Sequence, residues 1–325
     1  MCTALTFRSG DHYFGRTLDV EESYGEAVTV TPRNCPLSAG GLICPEGHFA
    51  MIGIAHIRQG IPLYYDCVNE KGLAIAALLF PGCAHYRPAG SGGTEVPSYF
   101  LIPWLLGQCA TLEEARQRLD GVVITDAAFD QELPPTPLHW LLADGEGAVV
   151  IEQGRHGLQV LDASIGVLTN APEFETQMLN LSAHMALSPH PPVNRLARGL
   201  ALPHFSRGMG AMGMPGDLSS PSRFVRAAFA RWNAEGGKNE EETVEQFFHI
   251  LDSVQQTRGC VILEDGRPEF TRYTSCCNTC KGIYYYTTYG NRRITAVDLN
   301  RENLDGRVPI SYPLIDRSQF LLQNG

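Results

Sequence analysis

The chain has no apolar run long enough to cross a bilayer and no basic stretch leading into an apolar one, so neither a membrane span nor a secretion signal is expected. Positive charge is scarce. With 25 Lys and Arg against 35 Asp and Glu, the formal net charge of −10 argues against a nucleic-acid partner or a polybasic membrane role. No internal repeat, no G-x-G-x-x-G and no Walker lysine motif occur, so a nucleotide cradle is not expected. The ten cysteines are scattered, without the density of a small disulfide scaffold, and should be mostly buried free thiols in a cytosolic protein. One C-x-x-C lies within Cys276-Cys277-Asn278-Thr279-Cys280. A zinc or redox pair could use it, but a structural zinc site needs a second pair and none is present, so no metal and no cofactor are expected. At 44% hydrophobic and 18% charged over 325 residues, a soluble globular chain with ample core is expected.

What is present is concentrated at the start. In Met1-Cys2-Thr3-Ala4-Leu5-Thr6-Phe7 the small side chain at position 2 favours removal of Met1, which would leave one residue carrying both a thiol and a free α-amine. Ordinary values of about 8.5 for a thiol and about 7.7–8.0 for an α-amine allow proton exchange near neutral pH. That is the arrangement of an N-terminal nucleophile. Residues 3–8 alternate, Ser9-Gly10-Asp11 turns, and residues 12–18 alternate again, so a hairpin should hold Cys2 at a strand end.

Further strands are expected at 27–31, 49–57, 65–69 and 73–80, the last two joined by an Asn69-Glu70-Lys71-Gly72 turn. Residues 81–96 read as a loop and 97–106 as a buried helix; Thr111 with Glu114 forms a capping box for the next helix. After a Pro-rich loop at 126–138, strands are expected at 138–143, 148–152, 158–161 and 166–169. Residues 187–218 have no period, yet are too long and apolar for a linker, which suggests a lid or an arm. Helices starting at Ser220-Pro221 and Asn239 lead to strands at 260–263, 283–288 and 294–299. Strands and helices grouped in this order predict an α+β chain built as a four-layer αββα sandwich.

A thiolate attacking an amide needs a nearby cation, a group to orient the amine and donors for the oxyanion. Arg16 and Asp19, on the strand beside Cys2, offer the first two, although three residues apart on an ideal strand they face opposite ways, so a bend or strand end near Leu18 is needed. Taken alone they could be ordinary surface charges. Asn170 in Val167-Leu168-Thr169-Asn170-Ala171-Pro172 could give an oxyanion donor or simply cap a turn. Arg223 sits in a first helical turn, where the dipole disfavours a cation.

Met1-Cys2-Thr3, Gly15-Arg16-Thr17-Leu18-Asp19, Asn69-Glu70-Lys71-Gly72-Leu73, the Asn170 segment, Ser219-Ser220-Pro221-Ser222-Arg223-Phe224 and Ser275-Cys276-Cys277-Asn278 occur in that order. Together they resemble the choloylglycine hydrolase family of bile salt hydrolases and penicillin V acylases, over nearly the whole chain. The resemblance implies a single N-terminal nucleophile hydrolase domain, 1–325, that cleaves a non-peptide amide through a Cys2 thioester. Arg16 and Arg223 would flank the nucleophile, Asp19 would hold its amine, and Asn170 with the backbone N–H of Leu79 would bind the oxyanion. Family bile salt hydrolases usually have Asn where Leu79 stands and many penicillin acylases have Tyr, so the common side-chain discriminator is silent here. Residues 208–217 are similar to the arm by which bile salt hydrolases form tetramers. The expected partner is therefore a glycine- or taurine-conjugated bile salt, in a bacterial cytoplasmic homotetramer. Loops at 20–27, 58–65 and 126–138 would line the steroid pocket with Ile61, Leu63, Phe129 and Leu133, and Arg16 or Arg58 would meet the anionic leaving group. Penicillin V or another acyl amide is the rival substrate, and an idle member used for binding or assembly is the rival class.

Overall fold

A computed structural model describes residues 1–324. The chain begins β1 (Cys2–Ser9), β2 (Asp11–Val20), β3 (Ala27–Thr31), short β4 (Ser38–Ala39) and β5 (Leu42–Ile43), β6 (Met51–Arg58), β7 (Ile61–Asn69) and β8 (Ala74–Leu79). It continues with β9 (Thr94–Pro97), α1 (Leu101–Leu106), α2 (Leu112–Arg118), β10 (Val122–Thr125), β11 (Leu138–Ala143), β12 (Ala148–Gly154), β13 (Gly157–Asp162), β14 (Val167–Leu168) and α3 (Phe174–Ser182). After a long irregular stretch come α4 (Ser220–Asn233), α5 (Glu240–Asp252), β15 (Val261–Ile262), β16 (Pro268–Asn278), β17 (Ile283–Thr288), β18 (Thr295–Asp298) and β19 (Ile310–Pro313).

Two antiparallel sheets face each other. The first is ordered β14-β1-β2-β16-β17-β18, with β15 added to β16; the second is β13-β12-β11-β8-β7-β6-β3-β19. Period-two alternation in the second sheet sends Ala74, Ala76 and Leu78 of β8 into the core between the sheets, while Ile75 and Ala77 pack with Leu101, Trp104 and Leu105 of α1. Phe224 and Phe247, from α4 and α5, close the outer face of the first sheet. The layers are thus helices, sheet, sheet, helices, the αββα order expected.

Several boundaries differ from the sequence reading. The strand β16, eleven residues long and paired with both β2 and β17, runs through a stretch read only as a motif, because its Thr, Ser and Cys residues mask the apolar alternation. Residues 94–97 lie in a parallel pair with β10, so the loop at 81–96 ends in a strand. The region 58–65 is not a loop but the β6–β7 hairpin, turning at Gln59 (φ 52) and Gly60 (φ 80). The turn after β7 behaves as its sequence suggests. Asn69 Oδ1 accepts from the Lys71 and Leu73 N–H groups (3.0 and 3.1 Å), and its Nδ2 caps α1 at Leu106 O and Cys109 O (2.8 Å each).

Candidate active site

Cys2 is buried as the first residue of β1, with Leu18 of β2 opposite it and Arg16 opposite Ala4. Alternation places Cys2, Arg16 and Leu18 on one face of the sheet and Thr3, Thr17 and Asp19 on the other. The bend expected in β2 is absent: the strand runs extended to Val20, and the irregularity lies in β16, between Thr271 and Tyr273. Arg16 and Asp19 stand on opposite faces and both lie at the Cys2 end of the hairpin, because Cys2 begins its strand.

Arg16 points toward the second sheet. Pairing of β7 with β8 stops at Asp66 opposite Ala76, and Tyr65 is the extra residue of a bulge against β6. Into that split Arg16 donates Nη1 to Tyr65 O (3.0 Å) and to Ala77 O, and Nε to Thr17 O (3.1 Å). Its Nη2 is buried without a protein partner. Burial opposes the guanidinium charge, but Cys2, Tyr273, Asp66 and Asp19 outweigh it and hold Arg16 above its ordinary pKa. Asp66 accepts from Tyr273 (2.8 Å), Ser275 (3.1 Å) and Tyr284 hydroxyls. Its own burial nevertheless pushes the carboxyl up, against Arg16 and those donors.

Arg223 reaches the site from the other face. Nη1 donates to Cys2 O and Thr3 Oγ1 (2.6 Å each), Nη2 to Asn170 Oδ1 (2.8 Å) and Nε to Leu218 O (3.1 Å). These four acceptors explain a cation in the first turn of α4, whose N-cap is Ser219 and not Ser220 as expected. Burial lowers its pKa, with Asp19, Cys2 and Glu269 opposing. Asn170 is the junction: Oδ1 also accepts from Cys2 N (2.7 Å), while Nδ2 donates to Leu79 O (2.8 Å). Leu79 stands opposite Leu138, but Phe80 N donates to Pro137 O and Leu138 N to Tyr86 Oη, so the ladder bonds bypass this pair. The Leu79 N–H and C=O therefore turn to the flank where Asn170 lies.

The Met1 ammonium donates to Asp19 O and to Glu269 Oε2 (2.6 Å each). The Asp19 carboxylate accepts instead from Thr17 (3.2 Å) and Thr271 (2.6 Å) hydroxyls, so with Met1 in place the carbonyl of Asp19, not its side chain, takes the amine. Glu269, Asp66 and Thr271 gave no local signal in the sequence; they reach the site only through the register of β16 and β7.

Ile61 and Leu63 are strand residues of β7, and Leu63, though buried, belongs to neither apolar core. Phe129 packs edge-on to Tyr99 (5.3 Å) and its N–H donates to Leu133 O (3.0 Å). Arg58 is not a free cation for a substrate: Asp130 and Glu132 each take it at 2.6 Å, fastening the hairpin turn to the 126–137 loop. Among the described residues no cluster of three or more His, Cys, Asp or Glu could hold a metal, and no helix is long and apolar enough to cross a membrane.

The family model of linear amide C–N hydrolases, choloylglycine hydrolase family, matches residues 2–312. The chain is 46% identical over 324 residues, all of both chains, to a bile salt hydrolase/transferase of Lactiplantibacillus plantarum. It is 36% identical to a bile salt hydrolase/transferase of Clostridium perfringens, covering 96% of each. The crystal structure of a mutant conjugated bile acid hydrolase from Clostridium perfringens superposes over all of both chains with a TM-score of 0.91 at 34% identity. Penicillin V acylase from Agrobacterium tumefaciens shares the fold, with a TM-score of 0.76 at 18% identity over 95% of this chain and 90% of that one.

Proposed function

The chain belongs to the choloylglycine hydrolase family and is a hydrolase of linear amide C–N bonds, and we propose that it cleaves glycine- or taurine-conjugated bile salts through a thioester on Cys2. The substrate class rests on full-length similarity to enzymes named for bile salts. The observation that carries the mechanism is the convergence on Cys2 of Arg16 from one face and of Asn170 and Arg223 from the other.

Removal of Met1 converts the Cys2 peptide N–H, already bound to Asn170 Oδ1 at 2.7 Å, into the α-amine that serves as base. The Cys2 thiol gives its proton to that amine and its sulfur bonds to the acyl carbon. Arg16 supplies positive charge beside the sulfur. The oxyanion is received by the second N–H of Asn170 Nδ2 and by the Leu79 backbone N–H. The C–N bond then breaks, the amine leaves with the proton, and water attacks the thioester by the same route. Leu79 contributes through its backbone, so the absence of an Asn or Tyr side chain leaves this donor in place. The Asp19 carboxylate holds the freed α-amine, and Arg223 holds the Cys2 end of the strand through the Cys2 carbonyl at 2.6 Å. Ile61, Leu63, Phe129 and Leu133 line the acyl pocket.

Residues 187–218 expose Leu196, Leu200, Phe205 and Met212, which supports a role for this segment in assembling a homotetramer. We place the enzyme, as one domain, in the bacterial cytoplasm.

Amine release from glycocholate, taurocholate and penicillin V, assayed in parallel with Cys2→Ala as the blank on chain shown by intact mass to begin at Cys2, tests the reading. Bile-salt turnover that vanishes in the blank is expected. Turnover of penicillin V alone would overturn the substrate, and turnover surviving in Cys2→Ala would overturn the nucleophile.

A further inference from the structure

One fully buried histidine lies between the two halves of the oxyanion site. His139 of β11 places Nε2 2.8 Å from Thr169 O and Nδ1 3.0 Å from Glu152 Oε1, and its ring stacks on Phe80 at 4.2 Å, nearly parallel. Thr169 immediately precedes Asn170, and Phe80 immediately follows Leu79. A carbonyl oxygen can only accept, so Nε2 carries a hydrogen; Nδ1 then shares a single proton with the Glu152 carboxylate. Glu152, itself buried, also accepts from the Phe174 N–H (3.1 Å) at the start of α3 and so ties down the chain beyond Asn170. Ser220 Oγ (from Asn170 N, 2.8 Å) and Gln177 Nε2 (to Asn170 O, 3.1 Å) fasten the Asn170 backbone from other sides. Of these groups, His139 alone touches a neighbour of both proposed donors.

We propose that His139, held by Glu152, is a positioning residue that sets the spacing between Asn170 Nδ2 and the Leu79 N–H, and so acts on the transition state and not on substrate binding. This rests on the oxyanion assignment above. A donor displaced by about 1 Å can cost about 100-fold in rate. Ground-state attack of the thiol on an alkylating agent has no oxyanion to stabilise and is indifferent to that spacing.

His139→Gln, whose amide cannot serve both acceptors in the imidazole's geometry, should lower kcat by about 10- to 100-fold on whichever amide the wild type cleaves. KM and the rate of Cys2 alkylation by iodoacetamide should stay within about threefold of wild type. The double variant His139→Gln with Glu152→Gln restores a chain of donors: the new amide at position 152 donates to the one at position 139, which in turn donates to Thr169 O. It should recover most of the lost kcat. That rescue separates spacing from proton transfer and also serves if the single variant fails to fold. Unchanged kcat in His139→Gln, a loss confined to KM, a parallel loss of alkylation, or a double variant no better than the single one would each overturn the inference. No turnover by the wild type would sink it together with the proposed function, whereas wild-type turnover with an unaffected His139→Gln sinks it alone.

Discussion

Replacing Arg223 by Met keeps most of the buried volume and removes every one of its four hydrogen bonds. Asn170 Oδ1 retains the Cys2 N–H, and the Thr3 hydroxyl can reorient, so Cys2 O and Leu218 O are the acceptors left without donors. Each stranded buried acceptor costs about 1–3 kcal/mol. Against this, the desolvation that lowers the Arg223 pKa is relieved, since an apolar side chain carries no charge to bury. A net loss of about 3 kcal/mol follows, with the two unpaired carbonyls dominating. At about 2.1 cal/mol/K per residue for a chain of 325 residues, that lowers Tm by about 4 °C. The catalytic loss should be larger in proportion, because the lost groups anchor the Cys2 carbonyl and Asn170: kcat/KM should fall about 100-fold or more. Arg223→Lys keeps the charge but not the planar fork, and should land between Met and wild type in both assays. Thermal scans and amine release on the same preparations decide it. A Met variant with Tm within about 1 °C of wild type and unchanged kcat/KM would refute the reasoning.

Asn170→Ala should cut kcat by about 100- to 1,000-fold, read by amine release, with a folded protein confirmed by its melting curve. Gly15→Ala should unfold or fail to accumulate, because a Cβ there would lie 2.0 Å from Ser275 O, backbone that cannot move without breaking the β2–β16 register; soluble yield and circular dichroism read it. Burial lowers His12 from an ordinary 6.5 to about 4. The unfolded chain therefore binds a proton first as pH falls, and this contribution to stability, complete above about 6.5, is lost down to about 4, at most about 3 kcal/mol. Urea midpoints at neutral and acid pH should show that slope in the wild type and a shallower one in His12→Gln; equal slopes would count against it.

Local signals were legible wherever the controlling contact lies within a few residues. Thr111 Oγ1 accepts from Glu114 N (3.2 Å) as the capping box requires, although Glu114 returns its bond to Ala110 N and not to Thr111. The Asn69–Gly72 turn follows from its own residues, whereas α3 carries no readable face, because its short segment buries only Phe174 and Gln177. What the sequence by itself determined was local: a hairpin that puts Cys2 at a strand end, most of the strands and helices, and, through the family resemblance, the candidates Cys2, Arg16, Asp19, Asn170 and Arg223, since alternation, turn chemistry and motifs are properties of neighbouring residues. Only the tertiary structure decided how those groups meet. The extra residue at Tyr65 splits β7 from β8 and gives Arg16 its carbonyls, β16 brings Glu269 and Thr271 to the chain start, and β11 sets His139 against Thr169, next to Asn170. Those relations are registers between strands that lie dozens to hundreds of residues apart, and register is chosen by which faces bury together when the two sheets close, a condition that no local pattern carries.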